Sequence, residues 1–165
     1  MKKIFIAAHY NLNNGDRAVL EATIQLLYGK NYEIVVSAFE KEKLIDKRFR
    51  TVSWPISSKI KNRIYTLLIK LKKTNLLKLI YKLLVDKEYL DELQNSDIIL
   101  ISGGHHLTDI LGEHTFYQLG LNYLIPIYES KDIFLLPQSI GPIKKENQHI
   151  LETLVNILQN VKNIA

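Results

Sequence analysis

Three short segments of this 165-residue sequence hold residue types that bind and activate small polar ligands. Asn13-Asn14-Gly15-Asp16 joins amide donors to a carboxylate around a glycine. Ser102-Gly103-Gly104-His105-His106-Leu107-Thr108-Asp109 sets two glycines before two imidazoles and a carboxylate. Pro137-Gln138-Ser139-Ile140-Gly141-Pro142 puts an amide and a hydroxyl beside a rigid Gly-Pro turn. Asn13 and Asp16 can hold a ligand such as a sugar hydroxyl, with Gly15 permitting a tight turn; Asp16 can equally cap a helix through its carboxylate. Gly103 and Gly104 let backbone N–H groups approach an anion closely. His105 and His106 are adjacent and point apart on regular structure, so one of them can meet a substrate but a shared metal site is disfavoured. Asp109 can cap a helix or bond to the neighbouring segment. Gln138 and Ser139 offer donors, although Gly141-Pro142 also suits a plain structural turn. His114 and His149 fall in helical surroundings and read as surface or packing residues.

Several chemistries are excluded. The dinucleotide fingerprint G-x-G-x-x-G and the Walker loop are absent. Ser139 does not sit in a nucleophile elbow, because Pro137 stands where the first glycine of G-x-S-x-G belongs. The sequence has no cysteine, which removes disulfides, thiol catalysis and zinc-thiolate sites, and fits a reducing compartment. No apolar run approaches the roughly 18 residues of a membrane span. Met1 to Ala8 resembles a signal peptide only briefly, since the apolar stretch is short and His9-Tyr10-Asn11 follows; a first β-strand explains it better. A soluble cytoplasmic protein is expected.

The elements that position these segments follow from periodicity. Continuous apolar runs predict buried strands over Lys3–Ala8, Tyr32–Phe39, Asp97–Ser102 and Asp132–Leu136, with a further strand over Arg50–Trp54 ending at Pro55. Helices are predicted over Arg17–Tyr28, stopped by Gly29, over Thr115–Tyr128 with Pro126 disturbing its last turn, and over Lys144–Asn160. Shorter helices fit Lys41–Lys47 and Lys87–Gln94, and Asn163-Ile164-Ala165 looks like the start of another strand. Buried strands alternating with helices mean a parallel α/β sheet, Rossmann-like and flanked by helices, and residues 1–165 are expected to form a single domain of that kind. Ligands of such sheets bind beyond the C-terminal ends of the strands, which is where all three segments fall. The hydrophobic content of 47% is enough to fill the core.

The net charge of +5 is unevenly spread. Lys47 to Val85 holds eleven Lys or Arg and no Asp or Glu, leaving eleven cations against seventeen carboxylates elsewhere. Lys59, Lys61, Arg63, Lys70, Lys72, Lys73, Lys78 and Lys82 alternate with Ile60, Ile64, Leu67, Leu68 and Leu71, then with Leu76, Leu77, Ile80, Leu83 and Leu84. This is an amphipathic helix or helix pair with a cationic face, broken at Thr74-Asn75. It can be a core-facing helix with a solvated lysine face, or a surface for anionic lipid head groups or a lipid-linked phosphate. Nucleic acid is disfavoured, because no recognition motif and little aromatic interleaving accompany the charge.

The order and spacing of the three segments resemble the polysaccharide pyruvyl transferase family. An N-x-G-D-x-A element is matched by Asn13, Gly15, Asp16 and Ala18; a glycine triplet followed by Leu and Asp is matched by Gly103, Gly104, Leu107 and Asp109; a Gln-Ser-Ile-Gly-Pro-like element is matched from Gln138 to Pro142. His105 replaces the third glycine, Pro137 a glycine before Gln138, and Tyr10 a glycine upstream of the first element. The resemblance covers essentially the whole chain but only the N-terminal half of the family's length. It implies the N-terminal domain of a GT-B-type transferase, whose cleft lies between two Rossmann-like halves. It implies transfer of a pyruvyl group from phosphoenolpyruvate to a sugar acceptor of a cell-surface polysaccharide or its lipid-linked precursor, with no cofactor and no metal. Asn13, Gly15, Asp16, Gly103, Gly104, His105, Asp109, Gln138 and Ser139 are then the expected substrate-binding residues. The half alone is expected to be inactive, since the anion-binding and acid residues would come largely from the other half. Peripheral contact at the inner membrane surface through Lys59–Lys82 would suit a lipid-linked acceptor. Two alternatives stay open: a glycosyltransferase half using a nucleotide sugar, and a non-catalytic module that binds a partner chain.

Overall fold

The computed structural model describes residues 1–9, 14–71, 73–108, 110, 113–129, 131–148, 151–152 and 155. Five parallel strands form one sheet in the order β3-β2-β1-β4-β6: β1 (Lys2–His9), β2 (Tyr32–Ala38), β3 (Arg50–Ser53), β4 (Ile98–Ile101) and β6 (Ile133–Leu135). Two more strands, β5 (Gly104–Leu107) and β7 (Gln138–Ile140), form a separate parallel pair. Helices α1 (Asn14–Leu27), α2 (Lys59–Lys70), α3 (Thr74–Leu84), α4 (Lys87–Gln94) and α5 (Glu113–Tyr128) connect them. The architecture is α/β with a flanked parallel sheet, consistent with a Rossmann-like fold.

The alternation of side chains along β1 and β2 builds both layers. Ile4, Ile6, Ile34 and Val36 face α1 and pack with Leu20 and Ile24. Phe5, Ala7 and Val35 face the other way, into a larger core made with Tyr65, Leu77, Tyr89, Leu93, Leu121 and Leu124. Phe5 meets Tyr89 edge to face at a ring separation of 5.2 Å. Gly29 ends α1 in the left-handed region at φ +80, a conformation that costs glycine little.

Several expectations shift. Lys41–Lys43 is a single 3-10 turn rather than a helix to Lys47. Helix α2 ends at Lys70 and Thr74 opens α3, so the break comes before Thr74-Asn75 rather than at it. Pro126 is accommodated inside α5, which runs on to Tyr128. Residues 145–147 form a 3-10 turn, and 148, 151, 152 and 155 are helical; the rest of the predicted last helix and the strand at 163–165 lie outside the described residues. The largest change is in the basic region. Tyr65, Leu68 and Ile69 face the core, whereas Ile60, Ile64, Leu67 and Leu71 are exposed. The apolar residues of α2 are therefore split between core and surface, because α3 and α5, the helices packed on it, cover only one side.

Candidate functional site

The three segments lie at the C-terminal ends of β1, β4 and β6. Ala8, fully buried near the end of β1, takes φ 64, and the register with β2 slips between Ile6 and His9. Alanine is rare in that region, so the packing around it must hold the backbone there. Helix α1 starts at Asn14, so Gly15 and Asp16 belong to its first turn rather than to a loop. Asp16 is the third helical residue and is buried. A carboxylate at that position meets the positive end of the helix. The preceding position belongs to Asn13, which with Asp109 lies outside the described residues.

Beyond β4, the Ser102 N–H donates to the Ala7 carbonyl at 2.9 Å and keeps the chain beside β1. Gly103 is then squeezed between two of its neighbours. A Cβ there would lie 2.9 Å from the Pro137 carbonyl oxygen, 3.3 Å from Val19 Cγ1 and 3.5 Å from Leu136 Cβ. The missing side chain thus lets the second segment touch both α1 and the third segment. From Gly104 the chain pairs in parallel with the third segment, Gly104 opposite Gln138 and Leu107 opposite Ile140. Segments expected as loops are therefore short strands, with His105, His106 and Ser139 within the paired stretch. Buried Thr108 closes the pair: its hydroxyl donates to the Pro142 carbonyl at 3.0 Å and accepts from the Ile110 N–H at 3.3 Å. Gly141 takes φ +90, and the Gly141–Pro142 peptide is cis. Helix α1 also packs against β5. Gly15, Asp16, Gly103, Gly104 and the paired stretch carrying His105, Gln138 and Ser139 are thus drawn to one end of the sheet.

Two cavities open along α2. One, of about 430 Å³, lies beyond β2 and β3 and is lined by Phe39, Ser53, Trp54, Lys59 and Asn62, among others. Phe39 and Trp54 meet edge to face at 4.8 Å there. The second, of about 460 Å³, shares Lys59 and Asn62 and continues past Arg63, Thr66 and Lys70. Helix α5, which follows the second segment, holds α2 in place. The Tyr65 hydroxyl donates to the Tyr117 carbonyl at 2.7 Å, and the Lys70 ammonium stands 5.8 Å from the Tyr117 ring centroid. Burial pushes the Tyr65 hydroxyl well above its usual pKa, which keeps it protonated as a donor. The cations Lys59, Arg63 and Lys70 on this cavity belong to the basic stretch that the sequence offers as a surface for anionic head groups or a lipid-linked phosphate, and Lys59 begins the helix that follows β3 after Trp54-Pro55.

Comparison with known proteins completes the picture. A search of curated proteins finds no match. The family model described as polysaccharide pyruvyl transferase matches residues 13–164, and that span contains all three segments, the strands that carry two of them and the helix that the first one opens. With nearly its whole length covered, the chain belongs to the polysaccharide pyruvyl transferase family.

Proposed function

We propose that the protein takes part in transferring a pyruvyl group from phosphoenolpyruvate to two hydroxyls of a sugar in a cell-surface polysaccharide or its lipid-linked precursor. The observation that carries this reading is the pairing of β5 with β7 beside α1, with Gly103 against Val19 and the Pro137 carbonyl, at the end of the sheet where ligands of such folds bind. The chain supplies the acceptor side of a cleft. A second Rossmann-like half, as in GT-B transferases, supplies most of the donor side, so this half is inactive alone. Asn13, Asp16, His105, Asp109, Gln138 and Ser139 are the polar groups assigned to the substrate, with Gly15, Gly103 and Gly104 shaping the backbone around it.

The reaction sets clear demands. The enol carbon of phosphoenolpyruvate gains a proton and becomes a methyl group, while its neighbouring carbon takes two sugar oxygens and loses inorganic phosphate. Of the two hydroxyl protons released, the balance assigns one to the methyl group and one to phosphate. A general acid and a general base must serve these transfers. Cations must hold the phosphate and carboxylate of the donor.

The test combines this chain with a C-terminal half of a family member, phosphoenolpyruvate and a sugar acceptor. Release of phosphate together with an acceptor bearing a cyclic ketal supports the reading, and Asp16→Asn should then depress turnover. Turnover of a nucleotide sugar under the same conditions would replace it with glycosyl transfer, and no turnover of either would favour a partner-binding module.

A further inference from the structure

Helices α2 and α3 pack against each other as a hairpin on the larger core. Each also turns an apolar stripe away from that core. On α2 the stripe is Ile60, Ile64 and Leu67, continued by Leu71 just past its end; on α3 it is Leu76, Leu79 and Leu83. Ile60, Leu79 and Leu83 are 72%, 79% and 75% exposed, so these side chains are not edges of the core. The spacing of three and four residues repeats within each helix, which makes each stripe a continuous face. Scattered apolar residues on a surface need no explanation, but a continuous exposed apolar face on each of two helices that pack together does.

The charge around these faces names the occupant. Lys59, Arg63, Lys73 and Lys78 are exposed and, among the described residues, make no ion pair with a carboxylate. The sequence from Lys47 to Val85 contains no Asp or Glu at all. Two copies of this face would oppose cation to cation, which disfavours self-association. An anionic bilayer instead complements the lysines and arginine and receives the apolar side chains at the depth of the head groups. No helix among the described residues is long and apolar enough to cross a membrane, so the contact is interfacial. We propose that the α2–α3 hairpin docks this protein on an anionic lipid bilayer, its outward Ile and Leu side chains entering the interface and its Lys and Arg side chains meeting the head groups.

Vesicle flotation with the full chain tests this without any turnover, so its result is separable from that of the transferase reading. The probes are vesicles of phosphatidylcholine alone and of phosphatidylcholine mixed with phosphatidylglycerol. The chain should float with the mixed vesicles at low salt, float far less with the neutral ones, and lose part of its binding as salt rises. Leu79→Ser/Leu83→Ser should lower partitioning at least tenfold, and Lys73→Gln/Lys78→Gln should weaken it mainly at low salt. Leu26→Ser, at a comparably exposed position on α1, should float like the wild type, and circular dichroism should show all variants folded. Absence of flotation at low salt overturns the proposal. So does wild-type flotation by Leu79→Ser/Leu83→Ser, or a concentration-dependent dimer in lipid-free solution that this pair of substitutions abolishes.

Discussion

The two ends of the sheet are built from opposite materials. At the N-terminal ends of the strands, charged side chains hold neighbouring elements together. The Lys3 ammonium lies 2.6 Å from Glu92 and 3.5 Å from Glu33, Arg50 pairs with the same two carboxylates, and the Lys3 N–H donates to Asp97 at 2.7 Å. This cluster joins α4 to β1, β2 and β3. At the C-terminal ends, close backbone approach and hydroxyl bonds take over: Gly103 against the Pro137 carbonyl, β5 paired with β7, Thr108 bonded to Pro142. Charge fastens the end away from the motifs. Where the motifs meet, small residues and backbone do the fastening.

The largest test of that contrast is Gly103→Ala. The new Cβ would sit 2.9 Å from a backbone oxygen, and backbone moves less readily than a flexible side chain. Overpacking of this kind costs about 1–3 kcal/mol, measurable by urea denaturation, and it should push the second segment off the third. A loss below about 0.5 kcal/mol would show that the close approach is not structurally required.

A matched pair sharpens the comparison. Gly29 and Gly141 both have positive φ and open space where a side chain would go. Alanine at either should therefore cost about 1–2 kcal/mol from backbone conformation alone. Gly29 ends α1 at the N-terminal side of the sheet, and Gly141 follows β7 at the other. Equal losses in thermal stability are expected, but only Gly141→Ala should alter ketal formation in the reconstituted assay. A kinetic defect in both variants would erase the division between the two ends.

The smallest effect is expected at Glu92. Burial pushes its carboxyl pKa up, but hydrogen bonds and charge from Lys3 and Arg50 outweigh burial and leave it below the ordinary value of 4.5. A carboxylate with a lowered folded pKa adds stability above its unfolded pKa and loses that contribution as pH falls through the folded value. Glu92→Gln should cost about 1 kcal/mol at neutral pH and flatten the acid limb of the stability curve below about pH 4.5. Parallel acid limbs for the variant and the wild type would remove the carboxylate from that role.

Much of the sheet was legible in the sequence because its strands are continuous apolar runs bounded by turn residues. Lys87–Gln94 was readable to the residue, and Gly29 marked the end of α1. The motif segments were recognisable in the same way, since glycines and polar residues right after buried strands are visible in one dimension. Their conformation was not. Gly104–Leu107 and Gln138–Ile140 are short and carry little apolar alternation of their own, so only their mutual pairing makes them strands.

The sequence by itself determined the α/β class, the strands of the main sheet, the family resemblance and the concentration of cations between Lys47 and Val85. These are local properties, written in periodicity, motif spacing and composition. The tertiary structure alone decided that Gly103 separates Val19 from Pro137, that Lys59, Arg63 and Lys70 line one cavity, and which Leu of α2 and α3 face outward. Periodicity shows that a helix has an apolar side, but with apolar residues on more than half its turn, only the shape of the partner surface selects which of them are buried.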